Sequence, residues 1–221
     1  MQPPVGKTAR AFHAKNDLPE VRREVFKLLP SLGVEVQVAF RRKRTLVDEA
    51  RALFRRGLKL SPNDVYDDLV HRTFKNMLRP DLIPLVTFAR RGKTDRLQAL
   101  KRALLAETQD QAEKVHAVEV AVRSQTELDD LIRLVSAMHV SGPIRGVSAA
   151  YPDEERCLQI VDYYLWAIQR MLERNEDRFF RLLERDFRLV MDLDDTRRHP
   201  YGQWYSASNP IALEKVLPVT G

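Results

Sequence analysis

One carboxylate interrupts a run that is otherwise apolar and aromatic. Residues 157–170 read CLQIVDYYLWAIQR, with Asp162 in the middle. An unpaired buried carboxylate is costly, so Asp162 must be solvated, hydrogen-bonded, ion-paired or bound to a cation. Other acids that oxygen-loving cations would use are Asp192, Asp194 and Asp195 in DLDD and Glu35 in VEVQVAF. His13, in FHAKND, is a further candidate. Arg90, Arg91 and Lys93, in RRGK, sit between a strand-like and a helix-like segment. A helix N-terminus with added cations suits a phosphate. Each group also has a plainer account. Asp162 can be a surface acid paired with an arginine such as Arg170. The DLDD acids can cap a turn. Glu35 can be a solvated strand acid, His13 a loop histidine bonded to backbone, and RRGK a wet connector.

Several chemistries have no support. The histidines, His13, His71, His116, His139 and His199, form no HExxH pattern, and there is no GxSxG elbow. GKT occurs at Gly6 and Gly92, but the glycine a P-loop needs five positions earlier is Met1 in one case and Thr87 in the other. No GxGxxG fingerprint occurs. Cys157 is the single cysteine, so an internal disulfide and a four-cysteine metal site are both excluded. No apolar run reaches about 18 residues, so no membrane span is expected. The first residues carry no apolar signal core. A reducing, cytoplasmic setting follows as the expectation.

These groups must be positioned by helices and strands, and the periodicities predict where those lie. Residues 16–33 read as a helix with Asp17 as cap, Pro19 in the first turn and Gly33 as stop. Residues 34–40 alternate as a strand. Helices are expected over 45–57, closed by Gly57, and over 61–78, capped by Ser61 with Pro62 first. A strand over 82–89 and a helix over 94–107 follow. Residues 116–124 read as a strand or as a continuation of that helix, 126–138 as a helix and 143–150 as a short strand. Helices over 153–174 and 176–186 precede a strand and turn over 187–195. The tail from His199 reads as loop, with Tyr201, Trp204 and Tyr205 able to stack on bases or to pin the tail to the body. On the 153–174 helix, Leu158, Val161, Leu165, Ile168 and Leu172 form an apolar stripe. Asp162 falls on the adjoining stripe with Gln159, Trp166 and Gln169. Strands interleaved with helices predict an α/β layer architecture in one domain over 1–221.

Charge is unevenly spread. Residues 1–107 hold 23 Lys and Arg against 12 Asp and Glu, whereas residues 108–221 hold 14 against 19. A basic half of this kind fits either a polyanion-binding surface or ordinary solvated helix faces.

Four segments in order carry a resemblance: FHAKND (12–17), FARRGKTDR (88–96), CLQIVDYYLWAIQR (157–170) and DLDDTRRHPYGQWYSASNP (192–210). Together they resemble a bacterial family called domain of unknown function 3800, which is similar to the ribonuclease-H-like superfamily. The resemblance runs from about His13 to Pro210 and is weakest across 108–148. It implies a mixed sheet flanked by helices and a metal-dependent nuclease-like domain using Mg²⁺ or Mn²⁺ on nucleic acid. Asp162 matches the acid of the family's C-terminal helix and His13 a further family position. Asp192 is the expected companion ligand, with Glu35, Asp194 and Asp195 as further candidates. The chain departs from the pattern in having no YLDESGD-like opening strand, which supplies the family's first acid. The expectations are therefore an N-terminally incomplete sheet, weak metal binding and an unpaired sheet edge open to a protein partner or a second copy. The rival reading is a non-catalytic nucleic-acid-binding or protein-interaction remnant.

Overall fold

The computed structural model describes residues 11–75, 85–90, 96–101, 104 and 146–216. The chain is mixed α/β and divides into two units, one comprising Met1–Leu60 and Tyr151–Gly221, the other Ser61–Ala150.

In the first unit, helix α1 (Pro19–Leu28) runs into a 3₁₀ turn over Leu29–Leu32 that ends at Gly33. Gly33 has φ +62°, a left-handed conformation that glycine adopts at no steric cost. Asp17 does not cap this helix, since the residue in the cap position is Leu18. Strand β1 (Val36–Phe40) is followed by helix α2 (Lys43–Arg55). The expected helix over 153–174 is observed as α4 (Arg156–Arg174), after the second unit. The expected 176–186 helix is shorter, with α5 (Arg178–Leu183) passing into a 3₁₀ turn over Glu184–Asp186. Strand β4 (Phe187–Asp192) pairs parallel with β1, matching Val38 with Val190 and Phe40 with Asp192. The tail is not all loop, because Gln203–Tyr205 forms β5, antiparallel to β4. The sheet order is β1-β4-β5, a small mixed sheet.

The core of this unit lies between α4, the sheet and α1. Tyr163, Tyr164, Ala167, Ile168 and Met171 are the buried face of α4. The expected stripe is thus displaced around the helix: Leu158 and Ile168 are buried, but Val161 is 50% exposed and Leu165 45%. The reason is that the two tyrosine rings find partners for their hydroxyls. Tyr163 donates to Asp17 Oδ2 at 2.5 Å and Tyr164 to Asp186 Oδ2 at 2.5 Å. A tyrosine with a satisfied hydroxyl buries more apolar area than valine does. Phe26 packs against Tyr163, Trp166 and Phe179 at centroid distances of 5.3, 5.9 and 4.9 Å.

The turn into β5 depends on Gly202, whose φ is +101°. A Cβ there would sit 2.5 Å from the backbone oxygen of Asp192. Gly202→Ala is therefore expected to destabilise the protein by at least about 2 kcal/mol, measured by urea unfolding.

In the second unit, α3 (Pro62–Lys75) begins with Pro62, and Asn63 N donates to Ser61 Oγ at 3.2 Å. Strand β2 (Leu85–Ala89) pairs parallel with β3 (Gly146–Ala150), and residues 97–101 are helical. Val70, Val86, Phe88, Leu100 and Leu104 form its core. Parallel pairing requires a long crossover, which is why β2 and β3 are far apart in sequence. The expected elements at 116–124 and 126–138 lie outside the described residues. Among the described residues no helix is long and apolar enough to cross a membrane.

Candidate functional site

The segment FHAKND docks onto the first turns of α4. Phe12 N donates to Gln159 Oε1 and Ala14 N to Asp162 Oδ2, both at 2.9 Å. Asp162 and Gln159 share the border stripe of α4, half-buried as its polar and aromatic composition predicts. His13 Nδ1 lies 3.3 Å from Asp162 Oδ2, and the two side chains are 49% and 35% exposed. Arg170 is ion-paired with Glu176 and is not the partner of Asp162.

A second acid holds this arrangement. Asp17 is 4% exposed, and its Oδ2 accepts from His13 N at 2.9 Å as well as from Tyr163. Arg22 closes the loop from the other side, donating from Nε to Ala14 O at 2.6 Å and from a terminal nitrogen to Asp17 O at 2.8 Å. Its guanidinium lies over Trp166, 4.6 Å from the ring centroid. Burial, then the hydrogen bond to Asp17, pushes the Tyr163 phenol well above its ordinary range, so it stays protonated as the donor. By local pattern alone Asp17 reads as a helix cap. Its place in FHAKND, two residues before a proline, was the signal that it belongs to the loop.

The DLDD acids form a different arrangement. The parallel register brings the end of β4 beside the end of β1, and so sets Asp192 and Asp194 against Arg42 and Arg41. Asp192 is fully buried and ion-paired with Arg42. Asp194 accepts from Arg41 Nε at 2.7 Å and from Arg42 N at 2.5 Å. Asp195 is held by Arg197 Nε and a terminal nitrogen at 2.8 and 2.7 Å. Glu35, near the opposite end of β1, is exposed and paired with Arg188 at 2.7 Å. Tyr205 is buried, whereas Tyr201 and Trp204 are exposed. Arg90 is exposed, with Nε 3.3 Å from Ala149 O. Arg91 and Lys93 lie outside the described residues. Among the described residues no group of three or more His, Cys, Asp or Glu side chains is placed to hold a metal ion.

The Arg197 hydrogen bonds lower the carboxyl of Asp195 below the usual aspartate range. A depressed folded value means that the unfolded chain binds the proton more readily. The stabilisation from Asp195 is thus full above about pH 4 and is lost as pH falls through the folded value. Urea unfolding should show wild type more stable than Asp195→Asn at pH 6, with the gap narrowing at pH 3.

No family model, curated protein or solved structure matches this chain.

Proposed function

We propose that this chain is a ribonuclease-H-like, nucleic-acid-processing domain whose reacting centre is the His13–Asp162 pair. What supports this reading is the meeting of two segments, 12–17 and 157–170, that resemble the same family. Phe12 bonds Gln159, and Ala14 bonds Asp162, across separations of 147 and 148 residues.

With its proton on Nδ1, facing Asp162, His13 keeps Nε2 as a proton acceptor. The carboxylate stabilises the imidazolium formed when Nε2 takes a proton from an attacking water. Asp162 Oδ1 accepts no hydrogen bond among the described residues and is the oxygen that would hold Mg²⁺ or Mn²⁺. Mg²⁺ retains several waters and is commonly held by one or two carboxylates plus substrate phosphates, so this donor set fits one weakly bound ion. It does not fit a two-metal clamp built from the described residues. When bound, such an ion neutralises developing phosphate charge and acidifies water. Asp192 is left out of the centre, because Arg42 already compensates its charge. Arg90, Arg91 and Lys93 are assigned to phosphate contact in the second unit.

A second reading is binding to nucleic acid without cleavage. It draws on Asp192, Asp194 and Asp195 all being engaged by arginines. The test is incubation of the full chain with single-stranded, duplex and hybrid oligonucleotides, with Mg²⁺, Mn²⁺ or chelator. Metal-dependent cleavage lost in both His13→Ala and Asp162→Asn supports the first reading. Cleavage indifferent to both removes the site assignment. Salt-sensitive binding without cleavage installs the second reading.

A further inference from the structure

A slot of about 620 Å³ lies between α4 and β1, and its lining shows which way it opens. Successive side chains of a strand point to opposite faces. Val38, Ala39 and Phe40 nevertheless all line the slot, while no residue of β4 does. The slot therefore runs along the outer edge of β1, away from β4. Among the described residues that edge has no partner strand.

The facing wall is one side of α4: Leu165, Ile168, Gln169, Leu172 and Glu173. Leu165 is 45% exposed, and Val161, one turn earlier, is 50% exposed. Edges not meant to pair are protected by charge, proline or a bulge. The five residues of β1 are Val, Gln, Val, Ala and Phe, with no charge or proline, and the irregularity lies at the far end, between Val36 and Gln37. At the near end α2 begins, and Arg41, Arg42, Lys43 and Arg44 line the slot against a single acid, Glu173. Arg41 and Arg42 are engaged by acids of their own, and Lys43 reaches Glu173 at 3.1 Å. Arg44 is exposed and forms no ion pair among the described residues. No acid in the first turn of α2 offsets this charge.

We propose that the outer edge of β1 receives an extended segment of a partner protein. Its alternate apolar side chains cover Leu165 and Leu172, and its acidic end lies beside Lys43 and Arg44. Backbone pairing supplies affinity, and the apolar wall and basic end supply selectivity. A second copy is the poorer occupant, because the one acid flanking its β1, Glu35, is already paired with Arg188, and four basic residues follow the strand. A nucleic acid would leave the edge amides and the leucine wall unused. The inference does not depend on the His13–Asp162 reading, and none of its test variants touches that pair.

The test uses labelled nine-residue peptides alternating valine and threonine, with two aspartates at one end or the other. Controls replace the aspartates with lysines, or methylate alternate amide nitrogens. Binding to the full chain is followed by fluorescence anisotropy and by hydrogen exchange of the β1 amides. The expected result is binding of an aspartate peptide, slowed exchange in β1, and at least about tenfold weaker binding for both controls. Leu165→Asp and Arg44→Glu, both at exposed positions and checked for folding by circular dichroism, should weaken it as much. Equal binding of the lysine or methylated peptide overturns the proposal, as does no binding by any peptide. Self-association lost in Leu165→Asp, without peptide binding, assigns the edge to a second copy. Protection of β1 by an oligonucleotide alone assigns it to nucleic acid.

Discussion

On the proposed reading, Asp162→Asn is expected to slow metal-dependent oligonucleotide cleavage by about 100-fold or more. Unfolding free energy should change by less than about 1 kcal/mol. The two effects separate because the amide keeps what the fold uses and loses what the chemistry needs. Asparagine retains an oxygen to accept from Ala14 N, and the side chain is only partly buried. It has no negative charge with which to hold a divalent cation or stabilise a protonated His13. Single-turnover rates over a series of Mg²⁺ concentrations check this, because losing a ligand raises the metal requirement as well as lowering the rate. Wild-type rates in the variant would remove Asp162 from the chemistry. A large fall in stability would recast it as a structural anchor for the 12–17 loop.

Arg42→Met is expected to cost about 3–5 kcal/mol of stability. Asp192 has no exposed surface, and the Arg42 guanidinium is its ion-pair partner. Without it the carboxylate keeps a hydrogen bond from Asp194 N at 3.3 Å, too little for a buried charge. Removing both charges together should cost much less, since an apolar pair of similar volume often matches a buried ion pair. Urea unfolding of Arg42→Met, Asp192→Leu and the double variant forms a cycle that isolates the coupling. If the single and double variants lose the same stability, the ion pair is not what holds the ends of β1 and β4 together.

The contrast between these two acids explains how far the sequence could be read. Asp162 stood out because a charge in an apolar helical run is a local anomaly, visible without any partner. Asp192 looked equally available, and its engagement by Arg42 follows from a strand register linking residues 150 apart. Asp17 reads as a cap because that use is local. Its real partner, Tyr163, is 146 residues away.

The sequence by itself determined the alternation of helices and strands, the stop at Gly33, the exclusion of an internal disulfide and the border position of Asp162. All of these rest on residue type and short-range periodicity. Tertiary structure alone decided that β1 and β4 pair in parallel, that residues 203–205 add a third strand, and that α4 turns its tyrosines inward while Val161 and Leu165 stay outside. Helix rotation and strand pairing depend on which distant groups can satisfy a buried hydroxyl or carboxylate. Hydropathy along the chain carries no record of such partners.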